Sequence, residues 1–159
     1  MLLLLLSFAL CELKVSDVNI RLPIYCDKEG TRPYQYITCY SPNAEFKKQS
    51  EEFIDIELIS KDETAVVIKV SVKYSDPEPV ATEIQVTYGD ESAKITVNID
   101  RIDHLQILST DNTIYVKKII PIKLNAFNEK GLIFSSLNGT ILNWNSTDVV
   151  DPPFDFYNI

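Results

Sequence analysis

Val66-Val67-Ile68-Lys69-Val70-Ser71-Val72-Lys73-Tyr74, residues 66–74, decides the fold class. Ile68, Val70, Val72 and Tyr74 fall on one face of an extended chain, and Lys69, Ser71 and Lys73 fall on the other. This period-two alternation is that of a strand half in a core and half in water. The pattern returns downstream, where Ile84, Val86 and Tyr88 alternate with Glu83, Gln85 and Thr87, and Ile95, Val97 and Ile99 form a third inward row. Between the last two runs lies Gly89-Asp90-Glu91-Ser92, a connection of hairpin length with a glycine where positive φ is wanted. An antiparallel hairpin is expected there.

A second group of β-prone runs covers 105–108, 113–116 and the alternation of Ile120, Ile122, Leu124 and Ala126, with Pro121 marking either an edge or a strand start. Asn128-Glu129-Lys130-Gly131 reads as a turn, with Asn to open it and Gly to close it. Extended structure resumes at 132–134 and 140–144, with Ile141 and Trp144 expected inward. Only 44–53 has helix-friendly composition, enough for one or two turns, and Asp76-Pro77-Glu78-Pro79 is a rigid connection. Many short strands with little helix make the chain all-β, of β-sandwich architecture. The expected division is a leader at 1–11, one complete sandwich at 12–101 and a second, incomplete one at 102–159.

With 45% apolar residues, the chain has enough to pack a core, and a net charge of -8 leaves no clustered cations for a nucleic-acid backbone, the longest basic run being Lys117-Lys118. The run from Leu2 to Leu10, broken only by Ser7, has the length of a secretory signal core and is too short to span a bilayer. Ala9 and Cys11 supply the small residues of a cleavage site before Glu12. Removal of Cys11 leaves Cys26 and Cys39, read either as a disulfide or as two separate buried thiols. Export also gives meaning to two glycosylation triplets, Asn138-Gly139-Thr140 and Asn145-Ser146-Thr147, whose acceptors are Asn138 and Asn145.

No catalytic constellation emerges. His104 is the single histidine and sits at a strand start; pairing it with Cys39 as base and nucleophile lacks any supporting motif. Asp100 and Asp103, with Asp148, Asp151 and Asp155, could offer oxygens to Ca²⁺, yet no calcium-loop order is present and they read as solvated surface. No metal, cofactor, nucleic-acid or small-molecule site is therefore assigned, and the chain is read as non-enzymatic. Tyr34, Tyr36 and Tyr40 are expected to fill the core rather than to form a binding patch.

Residues 99–145 resemble the early luminal region of the large nuclear pore membrane glycoproteins. The similar features run in one order: Ile107, Ser109-Thr110, Tyr115, Pro121, Ile122 and Leu124, then Ala126, Glu129 and Gly131, then Phe134-Ser135, Leu137 and Trp144. Upstream, Leu22-Pro23 and Cys39-Tyr40 align only with gaps, and Cys26 has no counterpart. The resemblance implies bacterial immunoglobulin-like sandwiches strung along the lumen between the nuclear membranes. It further implies a structural role in the nuclear pore complex, homo-oligomeric contacts through luminal domains, and anchoring by a membrane helix that this chain does not contain. Other pore-membrane components are further expected partners. The alternative expectation is a small secreted or cell-surface immunoglobulin-like binding module.

Overall fold

The computed structural model describes residues 13–25, 31–108 and 123–142. Among them the chain is all-β. Its strands are β1 (Asn19–Pro23), β2 (Tyr34–Cys39), β3 (Glu45–Lys48), β4 (Ile54–Lys61), β5 (Val66–Val72), β6 (Val80–Tyr88), β7 (Glu91–Asp100), β8 (His104–Ile107) and β9 (Leu124–Phe127). They form a four-stranded sheet in the order β1-β7-β6-β3, a three-stranded sheet in the order β2-β5-β4, and a two-stranded sheet of β8 and β9.

β5 behaves as its sequence dictates. Val66, Ile68, Val70 and Val72 are buried, the residues between them are half-exposed, and β2 and β4 flank it in antiparallel register. From the facing sheet, Ile20, Leu22, Ile84, Val86, Ile95, Val97 and Ile99 enter the same core. The two sheets thus cover one another's apolar faces, and each fully buried Ile or Val contributes about 1.5–3 kcal/mol relative to an exposed one.

The β6–β7 hairpin forms as the alternation predicts, but its turn is tighter than the four-residue connection expected. Tyr88 already pairs with Glu91, so Glu91 and Ser92 belong to the strand, and Gly89 takes the left-handed conformation at φ 58°. At the β4–β5 turn the Asp62 carboxylate accepts from the Thr64 and Ala65 amides at 2.7 and 2.9 Å, an Asx turn that also draws in the Thr64 hydroxyl. These bonds favour the charged form and hold the Asp62 carboxyl below its ordinary range.

The helical expectation for 44–53 is corrected. Glu45–Lys48 pairs antiparallel with β6, and Phe46 packs on the core while Glu45 and Lys47 face water. Four residues of ladder plus a partly buried aromatic ring outweigh the weak propensity of an isolated helical turn. The tyrosine expectation is corrected as well: Tyr36 and Tyr40 are 48% and 50% exposed, because Ile37 and Cys39 take the inward positions of β2.

The first strand changes sheets. Val15 bridges Cys39 on β2, with Ser16 N donating to Thr38 O and Tyr40 N to Lys14 O, both at 2.8 Å. Asn19–Pro23 then runs parallel to β7, in register from Asn19 opposite Thr96 to Pro23 opposite Asp100. At the far edge of the smaller sheet, β4 carries a bulge between Leu58 and Ser60 that leaves Leu58 and Ile59 exposed, a device that spoils a flat edge.

β8 and β9 come next as a separate ladder in which every β8 side chain is exposed and Ala126 is buried. Ile141, expected inward, is 48% exposed; the described part of this region contains no second layer to cover it. The β-prone runs at 113–116, Ile120, Pro121, Ile122 and Trp144 lie outside the described residues.

Asp55 on β4 gathers Lys48 from the end of β3, Lys73 just after β5, and Arg32 before β2, at 3.3, 3.5 and 2.9 Å. Partial burial alone would push its carboxyl up; hydrogen bonding and charge from Lys48 and Lys73 outweigh that and hold it below the ordinary aspartate range. A carboxyl lowered on folding stabilises the protein above its unfolded pKa, and that contribution disappears as pH falls through its folded value. Asp55→Asn should therefore lose less stability between pH 7 and acid than the parent chain in paired urea titrations. In the core, Ile84→Ala should lower unfolding free energy by about 3 kcal/mol. Glu83→Ala, on the outward face of the same strand, should cost about 0.5 kcal/mol.

Candidate functional site: the Asn138 turn and the Asp100 junction

Residues 134–140 lead from β9 back onto the two-sheet body. Phe134, 6% exposed, donates its amide to Ala126 O at 3.0 Å. Ser135 then docks on β1: its amide donates to Arg21 O at 2.9 Å, and its Oγ accepts from Arg21 N at 2.9 Å. Ser136 and Asn138 dock on β2, where Ser136 Oγ donates to Tyr34 O at 2.8 Å and Tyr34 N donates to Asn138 O at 3.0 Å. The segment is thus stitched to an edge of each sheet.

The predicted acceptor Asn138 stands exposed on this stitch. Leu137-Asn138-Gly139-Thr140 is a β-turn closed by Thr140 N donating to Leu137 O at 3.0 Å, with Gly139 at φ 75°. Glycine is required twice over, since a Cβ there would lie 2.3 Å from the Arg32 carbonyl oxygen. Thr140 Oγ1 is buried in the closed turn without a hydrogen-bond partner.

Beside the turn stands an aromatic face. Tyr34 and Tyr36 meet edge to face with centroids 5.4 Å apart, and Lys69 Nζ lies 4.5 Å from the Tyr34 ring centroid. Partial desolvation, then the adjacent Tyr34 hydroxyl and the Glu57 charge, raise the Tyr36 phenol above its ordinary range. Sequence reasoning placed these rings in the core; the inward Ile37 and Cys39 were the available signal against that.

The second feature is the junction at Asp100, a residue that the sequence reads as solvated surface; the structure corrects this, since its side chain is 14% exposed and engaged by two neighbours. Asp100 Oδ2 accepts from Arg21 Nη1 at 3.0 Å and from Asn128 Nδ2 at 2.6 Å, and its backbone oxygen accepts from Ile24 N at 2.9 Å. Asn128 is 2% exposed, and its Oδ1 accepts from Lys130 N at 3.1 Å and Leu132 N at 2.8 Å. The Asn128–Gly131 turn forms as expected, with Gly131 at φ 72°. Its opening residue also fastens the β8–β9 ladder to the end of β7. An open cavity of about 250 Å³ lies over this point, lined by Arg21, Val80, Asn98, Asp100, Asn128 and Leu132 among others.

Of the other sequence-predicted residues, Cys39 is fully buried on β2. Cys26 and Asn145 lie outside the described residues, and with them the choice between a disulfide and two separate thiols and the second acceptor. His104 stacks on Phe127 at 5.0 Å on the exposed β8 strand, with Asp103 2.9 Å from Nδ1, so the structure does not bring it to Cys39 in the core. Among the described residues no group of three or more His, Cys, Asp or Glu could hold a metal, and no helix is long and apolar enough to cross a membrane.

Two substitutions test the geometry. Gly139→Ala and Gly131→Ala impose similar backbone strain, but only the first meets a neighbour, so Gly139→Ala should cost about 1–2 kcal/mol more in urea denaturation. Asn128→Ala strands the Lys130 and Leu132 amides, and native-state hydrogen exchange should quicken there while β5 amides keep their protection.

No protein-family model matches the chain, and no curated protein does. Among solved structures, domains 5–6 of the S-layer protein SbsC are similar at 12% identity and a TM-score of 0.48, over 87% of this chain and 72% of that one. The longer rSbsC(31–844) gives 13% identity and a TM-score of 0.47 over 80% of this chain, which spans 17% of that protein's length. Both are distant likenesses and carry no argument.

Proposed function

We propose that this chain is a structural, non-catalytic repeat segment of the lumen, of the kind found in the nuclear pore membrane glycoproteins. Its sandwich is read as immunoglobulin-like. The observation that carries the reading is the strand order: β2-β5-β4 facing β3-β6-β7 reproduces the BED and CFG sheets of that fold. The opening segment meets β2 at Val15 before joining β7, as a divided first strand does. Immediately after β7, the Asp100 junction fastens the next sheet to the body, the coupling a tandem array needs.

The resemblance of residues 99–145 supplies the location, at the nuclear envelope, and the partner class, further copies of the same protein around the pore membrane. Exposed Asn138, on a turn that its own glycine requires, supports glycosylation in that compartment. Because Thr140 Oγ1 is enclosed once the turn closes, sugar transfer would precede completion of the fold. Export through the leader at 1–11 and a second glycan on Asn145 belong to the same reading. The alternative, a secreted or cell-surface binding module, draws support from the exposed Tyr36 and Tyr40.

An antibody against residues 66–99, used on cells that express the protein, separates the two. Rim staining of the nucleus that requires opening of the nuclear membranes, with a band that shrinks on endoglycosidase treatment, is the expected result. Staining at the cell surface, or antigen in the medium, would overturn the pore reading in favour of the binding module.

A further inference from the structure

We infer that the tyrosine face of β2 is the seat of the protein's own glycan: the first N-acetylglucosamine on Asn138 packs against Tyr36, beside Tyr34 and Lys69. This rests on glycosylation of Asn138 as proposed above, and adds where the sugar lies and what it does.

Backbone connectivity sets the distance. Asn138 O accepts from Tyr34 N at 3.0 Å, so the acceptor residue sits directly beside β2 at the start of the tyrosine row. An added Cβ on Gly139 would be 3.2 Å from Tyr34 Cδ1, which places that ring against the turn itself. Tyr36, two residues farther along β2 and therefore on the same face, is 48% exposed and meets Tyr34 edge to face.

The chemistry matches a sugar. A pyranose ring has a face of C–H groups that suits an aromatic surface, while its hydroxyls and acetamido group need polar neighbours. Lys69, opposite Tyr36 in the ladder, and Glu57, 4.0 Å from Lys69, supply a donor and an acceptor at the rim. An extended apolar partner would fit this mixed rim poorly. A sugar tethered to Asn138 would be present at an effective concentration in the millimolar range, so even a weak stack would be populated.

The test uses the full chain routed through the secretory pathway with Asn145→Gln, so that Asn138 is the one intact acceptor triplet. The glycan is trimmed natively to a single N-acetylglucosamine, and intact mass reports occupancy. The comparison is with Asn138→Gln, each in the parent, Tyr36→Phe and Tyr36→Ala backgrounds. The sugar should raise Tm by about 4 °C in the parent and in Tyr36→Phe, and by about 0–1 °C in Tyr36→Ala. The acetyl methyl resonance should be displaced upfield by the ring current in the first two backgrounds and not in the third. An occupied Asn138 with an unshifted methyl and the same Tm gain in all backgrounds would overturn the inference while leaving glycosylation intact. An unoccupied Asn138 would overturn both. Each Tyr36 variant has its own unglycosylated baseline, so a loss of intrinsic stability cannot imitate either result.

Discussion

Everything in the molecule depends on two sheets hiding one another's apolar faces. Val66, Ile68, Val70 and Val72 from one side and Ile84, Val86, Ile95, Val97 and Ile99 from the other are buried in a single cluster. β-branched side chains suit this arrangement because their stiff χ1 angles lose little freedom on a pleated surface. The constraint then propagates outward. Once alternate residues of each strand are committed to the core, their neighbours must face water, which is how Asp55, Lys69 and the tyrosines of β2 come to be available for other work.

Where alternation was long and uninterrupted, structure was legible from the residues alone. β5, β6 and β7 each carry several consecutive in–out pairs, and the glycine between β6 and β7 takes the left-handed conformation that its position suggested. The turn at Asn128 was legible for the same local reason. Short elements were not: Glu45–Lys48 offers only the partly buried Phe46 to the core, and its pairing with β6 is a long-range event that no local propensity announces. The tyrosines were not legible from aromatic type, because position decides: Ile37 and Cys39 occupy the inward sites of β2.

The candidate site divides in the same way. Asn138 was legible as an acceptor because the triplet is a local pattern, and the need for glycine between acceptor and threonine has a structural reason in the nearby Arg32 carbonyl. The Asp100 junction was not legible. It joins Arg21, Asp100 and Asn128, which only the folded topology brings together, and Asn128 serves two purposes with the two ends of one amide. A buried asparagine satisfied in this way makes the connection directional as well as tight, since no apolar residue of similar size could bond both ends.

The parallel pairing of β1 with β7 has a mechanical meaning. The two strands run the same way, so the chain enters the sandwich at one end and leaves it at the other. A pull along the chain would load the ladder between Asn19–Pro23 and the end of β7 in shear, with its hydrogen bonds sharing the force together instead of parting one at a time. The same bonds arranged antiparallel between neighbouring ends would unzip at a far smaller force. A domain threaded in this way is suited to sit in series within a tensioned chain, extending little until the whole ladder gives.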